Sequence, residues 1–81
     1  MTTEELAEAW RNEEMDFEDA LLGHLDQNFP GEYDLTVFFV LKLAISYSNM
    51  VTEDVVLEID GERFSAAKFI ERFDLHPFVN A

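Results

Sequence analysis

Carboxylates are the one reactive group that this sequence supplies in number and at close spacing. Glu4, Glu5, Glu8, Glu13, Glu14, Asp16, Glu18 and Asp19 place eight acids within 16 positions. Acids so spaced can ligate a metal, transfer protons, or present fixed negative charge to a basic partner. A calcium loop needs alternating D-x-D-x-D-G ligands and a distant Glu, and that pattern is absent. Asp60-Gly61-Glu62 reads instead as a turn. His24 and His76 lack the H-E-x-x-H spacing of a zinc site. His24 falls in a helical segment and is expected at the surface or core edge. Paired carboxylates can hydrolyse glycosides, but 81 residues leave little room for a cleft. The available hydroxyls are Ser46, Ser48 and Ser65. None stands in G-x-S-x-G, and Ser65 reads better as a helix cap. No phosphate-cradling glycine loop occurs. The sequence therefore assigns no catalytic residue, no cofactor and no metal ligand, and the expectation is a protein that is not an enzyme.

Charge remains. The chain holds 18 acidic and 5 basic residues, a net charge of −13. Residues 1–34 carry eleven acids against Arg11 alone, while residues 35–52 carry no acid and one base, Lys42. Glu4 and Glu8 stand at i, i+4, as do Glu14 and Glu18. On an isolated helix such like-charge pairs are destabilising by about 0.2–0.5 kcal/mol each. Lysine at one position of each pair would have removed the repulsion, which suggests that the charge is wanted. DNA also presents closely spaced fixed negative charge, so carboxylates on rigid helices can stand in for phosphates. The expected partner is a basic nucleic-acid-binding protein or complex. Direct nucleic-acid binding is disfavoured by the sign of the charge, and so is docking on an anionic membrane. The partner-binding surface is expected over Thr3 to Asp26: Glu4, Glu5, Glu8, Trp10, Glu13, Glu14, Asp16, Glu18, Asp19 and Asp26. Glu58, Asp60 and Glu62 form a secondary patch.

In size, acidity and helical character the chain resembles small phage-encoded inhibitors that mimic DNA, including anti-CRISPR proteins and inhibitors of restriction or repair enzymes. The resemblance covers no motif and carries over no residue. It implies a non-catalytic inhibitor that competes for a nucleic-acid groove. Acyl carrier proteins share the size and acidity, but Asp34-Leu35-Thr36 lacks the serine on which their cofactor hangs. A second reading is a small adaptor or immunity-type protein. It would use an apolar patch including Trp10, Tyr47 or Phe78, with acidity serving only solubility.

The elements that position these residues follow from pattern. A single acidic domain, 1–81, is expected, with 48% hydrophobic residues and no cysteine. Its core must therefore hold the fold without disulfides. Thr2 and Glu5 form a capping-box pattern, and Leu6, Ala9 and Trp10 give a helical stripe over Thr3 to Glu13. Asp16 caps a second helix with Phe17, Leu21, Leu22 and Leu25 inward; the two segments could equally form one bent helix. Pro30-Gly31 marks a turn. Leu35 to Met50 is apolar almost all round, predicting a buried central helix capped by Asp34, although residues 35–40 also fit a strand. Val55, Leu57 and Ile59 alternate with Val56, Glu58 and Asp60, and Asp60-Gly61 predicts a two-residue hairpin turn into Glu62–Phe64. Ser65 caps a last helix, Ala66 to Phe73, with Phe69, Ile70 and Phe73 inward. Phe38, Phe39 and Phe64 are also expected in the core. In the tail Asp74 to Ala81, Pro77 is expected to stop the helix and Phe78 to pack back on the body. The fold class is α+β, mainly helical: two acidic N-terminal helices, a buried central helix, a small β-hairpin and a short C-terminal helix. No basic and apolar leader opens MTTEELAEAW, and Leu35 to Ile45 is too short to span a bilayer. A cytoplasmic protein is expected. Oligomeric state stays open, and exposed apolar surface would permit a homodimer.

Overall fold

Thr2 and Glu5 close the predicted capping box. Thr2 Oγ1 accepts from the Glu5 amide at 3.1 Å, and Glu5 Oε1 accepts from the Thr2 amide at 3.0 Å. They open α1, Thr3–Arg11, in the computed structural model, which describes residues 1–51 and 53–79, Ile59 by backbone only. Helix α1 stops two residues before the expected Glu13. Glu13 adopts φ +60°, its amide bonds Trp10 O, and the Glu14 amide bonds Ala9 O at 2.8 Å. This is a Schellman stop with glutamate where glycine is usual. The turn separates α1 from α2, Phe17–Asn28, so the segment forms two helices. Asp16 takes the N-cap position in extended backbone, but its side chain makes no cap hydrogen bond. At the far end Phe29-Pro30-Gly31-Glu32 closes a turn, Glu32 N to Phe29 O at 3.1 Å, with Gly31 at φ +76°. Proline followed by a positive-φ glycine is the type II pattern.

Contacts divide the chain into two units, 1–34 and 35–81. In the first, α1 packs on α2. Leu6, Ala7, Ala9, Ala20, Leu21 and Leu25 are buried. Leu6 packs against Gly23, where an added Cβ would meet its methyls at 3.4 Å, an ordinary van der Waals contact.

In the second unit α3 spans Leu35–Met50 as expected, and residues 35–40 are helix. Its burial is narrower than its composition suggests. Val40, Leu41, Ala44 and Ile45 are buried, whereas Leu35 is 86% and Phe39 58% exposed. Apolar content alone does not say which side of a helix finds neighbours. Lys42 Nζ lies over the Phe38 ring, 5.7 Å from its centroid. The hairpin is β1, Val56–Ile59, paired antiparallel with β2, Glu62–Ser65. Asp60 and Gly61 both have positive φ, +51° and +80°, which makes the two-residue turn type I′. Leu57 is buried while Val56 and Glu58 face solvent; the inward side chain expected at Ile59 lies outside the described residues.

Strand β2 runs directly into α4, Ala66–Arg72. Ser65 Oγ accepts from the Lys68 amide as its cap. Asp54, not singled out in the sequence, reinforces that start by accepting from Ser65 Oγ and from the Ala67 amide at 3.0 Å. A second Schellman stop ends α4, with Asp74 at φ +54° and the Leu75 amide on Ile70 O. Leu75 and Ile70 are both buried, supplying the apolar contact that accompanies this motif. A 3₁₀ turn, His76–Phe78, then buries Phe78 completely, and Asn49 Nδ2 donates to Phe78 O at 3.1 Å. Among the expected core aromatics, Phe73 is buried; Phe38, Phe64 and Phe69 are half-buried, and Phe39 is exposed. The fold is α+β and mainly helical.

Candidate functional site

Helices α1 and α2 and the turn between them carry the whole of the expected primary surface. Glu4, Glu5, Glu8, Glu13, Glu14, Asp16, Glu18, Asp19 and Asp26 are all exposed. Periodicity explains this, because α1 turns Leu6, Ala7 and Ala9 inward and leaves Glu4, Glu5 and Glu8 outward. The short stop between the helices then concentrates charge. Glu13, Glu14, Asp16 and Asp19 line one shallow concavity together with Met15. Asp16, Phe17, Glu18 and Asp19 line another. The α1–α2 corner is thus the densest acidic feature of the first unit. It also alters one expectation: Glu14 lies in the turn, so its spacing to Glu18 is not a pair on one helix face.

Two of the acids have structural work. Glu5 holds the capping box, and its hydrogen bonds from Thr2 keep its carboxyl below the ordinary value. Asp26 Oδ1 accepts from the Tyr33 hydroxyl at 2.5 Å, and that bond raises the Tyr33 phenol above its ordinary value. Trp10 is half-buried with its ring centroid 4.8 Å from that of Phe17, bridging the two helices beside the corner. It is therefore part anchor and part surface.

The secondary residues Glu58, Asp60 and Glu62 are exposed on the hairpin of the second unit. Tyr47 reaches the surface at 39% exposure, while Phe78 is fully buried and cannot belong to an apolar contact patch.

His24 corrects the expectation of a surface or core-edge residue, being 0% exposed. Thr3 Oγ1 lies 2.6 Å and Asn28 Nδ2 3.3 Å from His24 Nδ1. An amide nitrogen can only donate, so Nδ1 faces the Asn28 amide as an acceptor. The ring ties the start of α1 to the middle of α2. Its position three residues after Leu21, on the buried stripe, is the signal that could have placed it. The Thr3 contact, 21 residues away, has no signal in the sequence.

Among the described residues no group of three or more His, Cys, Asp or Glu can hold a metal ion. Ser65 is committed to Asp54 and the α4 cap, and those bonds keep the Asp54 carboxyl below its ordinary value. No described helix is long and apolar enough to cross a membrane. What the acidic corner offers chemically is fixed negative charge on paired helices. No protein-family model, curated protein or solved structure matches the chain.

Proposed function

We propose that the chain is a non-catalytic inhibitor whose acidic helices occupy the nucleic-acid-binding surface of a basic partner protein, as a phage counter-defence protein would. The observation that carries this reading is the exposure of all nine acids on α1, α2 and the corner between them. Backbone helices hold these carboxylates at fixed spacing, so little ordering is needed on binding. They compete with phosphates for Lys and Arg, while Trp10 and Phe17 beside them add apolar contact. Long-range attraction makes association fast and dependent on salt. The test replaces Glu4, Glu8, Glu14 and Glu18 together by Gln. Affinity for the captured partner is expected to fall, and its dependence on salt to flatten. Unchanged affinity and unchanged salt slope would end the proposal.

The exposed apolar residues of α3 favour the second reading, a small adaptor with solubilising acidity. Leu35, Phe39 and Met50 recur at helical spacing, at 86%, 58% and 75% exposure. On that reading Phe39→Glu abolishes capture of the partner, and salt leaves affinity nearly constant.

A further inference from the structure

Only five bases occur in the chain, and three of them meet at one place. Arg63, Phe64 and Ser65 of β2, with Lys68, Phe69 and Arg72 of α4, line a surface groove of about 450 Å³. That size lies within the ~300–1,000 Å³ of small-molecule pockets. The three cations are exposed and the two Phe side chains half-buried. Lys68 and Arg72 stand at i, i+4 on α4, a repulsive pair in a chain with acids to spare. Two acids stand beside these bases. Asp54 accepts from Ser65 and Ala67 and also acts on Lys68. Glu58 stands opposite Arg63 in the hairpin register. Among the described residues, no acid lines the groove itself.

We propose that this groove between β2 and α4 binds a small aromatic carboxylate. The three cations call for an anion, and the guanidinium fork suits a planar carboxylate. The −13 charge of the whole chain selects a small one, because repulsion grows with the charge of the ligand. Nucleic acid and anionic vesicles are disfavoured on that ground. The Phe64 and Phe69 rings, 5.4 Å apart and tilted at 46°, offer both edge and face to a third ring. The ligand is thus one carboxylate attached to one aromatic body. A free acid has that chemistry, and so does the end of a peptide chain that finishes in an aromatic residue.

The test titrates the full ¹⁵N-labelled chain with 3-phenylpropionate, N-acetyl-glycyl-phenylalanine, acetate and 3-phenylpropanamide. Saturable amide shifts are expected at Phe64, Ser65, Lys68 and Phe69 for at least one of the two aromatic carboxylates. Its affinity should exceed that of acetate and of the uncharged amide at least tenfold. Lys68→Gln with Arg72→Gln should weaken binding at least tenfold, whereas Lys42→Gln should not. Phe69→Leu should remove the preference over acetate; the exposed-cation variants carry the test if that variant does not fold. Tighter binding of the dipeptide assigns the groove to a protein terminus, and tighter binding of phenylpropionate to a free acid. Absence of saturable shifts with both aromatic carboxylates overturns the proposal. So does equal binding of acetate, or of the amide, or an unchanged affinity in the Lys68 and Arg72 variant.

Discussion

At the scale of single residues, the polar groups that matter most for stability are not the acids that dominate the sequence. His24 has no exposed surface and accepts at Nδ1 from two directions. Replacing it by Ala removes a large buried side chain and the acceptor of the Thr3 hydroxyl, while Asn28 Nδ2 keeps its bond to the backbone carbonyl of residue 24 at 3.0 Å. Such a change costs about 2–4 kcal/mol. Urea unfolding should show that loss, and a loss under ~0.5 kcal/mol would mean that the ring is not an organising contact. Asp54 gives a different signature. Hydrogen bonds from Ser65 and Ala67 hold its carboxyl below the ordinary 3.8. A folded-state value below the unfolded one adds stability above the unfolded value and loses it as pH falls through the folded one. Asp54→Asn should therefore be less stable than the parent at pH 7. The difference should shrink as pH drops below 3.8. A gap that stays constant from neutral pH down to pH ~3 would show that the charge of Asp54 is irrelevant to the α4 cap. Neither residue announces its role in the sequence, because their partners Thr3 and Ser65 are brought close only by folding.

At the scale of elements, boundaries set by side-chain chemistry were legible, while stops made by backbone geometry were not. Thr2 with Glu5, Asp60 with Gly61, and Ser65 before Ala66 each advertise a local hydrogen-bond solution, and each stands where pattern places it. The end of α1 was missed because Glu13 occupies a left-handed position that usually selects glycine. The same cause hides Asp74 after α4. Glu13→Gly should consequently stabilise the chain by about 0.5–1 kcal/mol, relieving the positive φ and one carboxylate of the crowded corner. Thermal unfolding at fixed salt reads this directly; a destabilised variant would show that Glu13 makes contacts outweighing its backbone strain. Helix α3 marks the other limit of legibility. Its helical type and ends follow from its length and apolar content, yet its buried stripe, Val40, Leu41, Ala44 and Ile45, does not. When nearly every position is apolar, periodicity carries no information about orientation.

At the scale of the whole molecule, charge and stability pull against each other, and that opposition can be measured without knowing the partner. With 18 acids against 5 bases, folding gathers like charge and must be opposed by self-repulsion. Screening acts within a Debye length of roughly 10 Å at 0.1 M salt, so the effect concerns neighbours such as those lining the α1–α2 corner. Glu8 and Glu14 probe it best. Both are exposed, and neither lies in the first turn of a helix, where negative charge is favourable. Changing both to Gln should raise the melting temperature by a few degrees at ~10 mM salt, and by less at ~0.5 M, where repulsion is already screened. The parent itself should gain stability as salt rises. If the double variant melts no higher than the parent at low salt, the acids carry no stability penalty. The case that they are retained for binding would then lose its premise, because charge that costs the fold nothing needs no function to explain it.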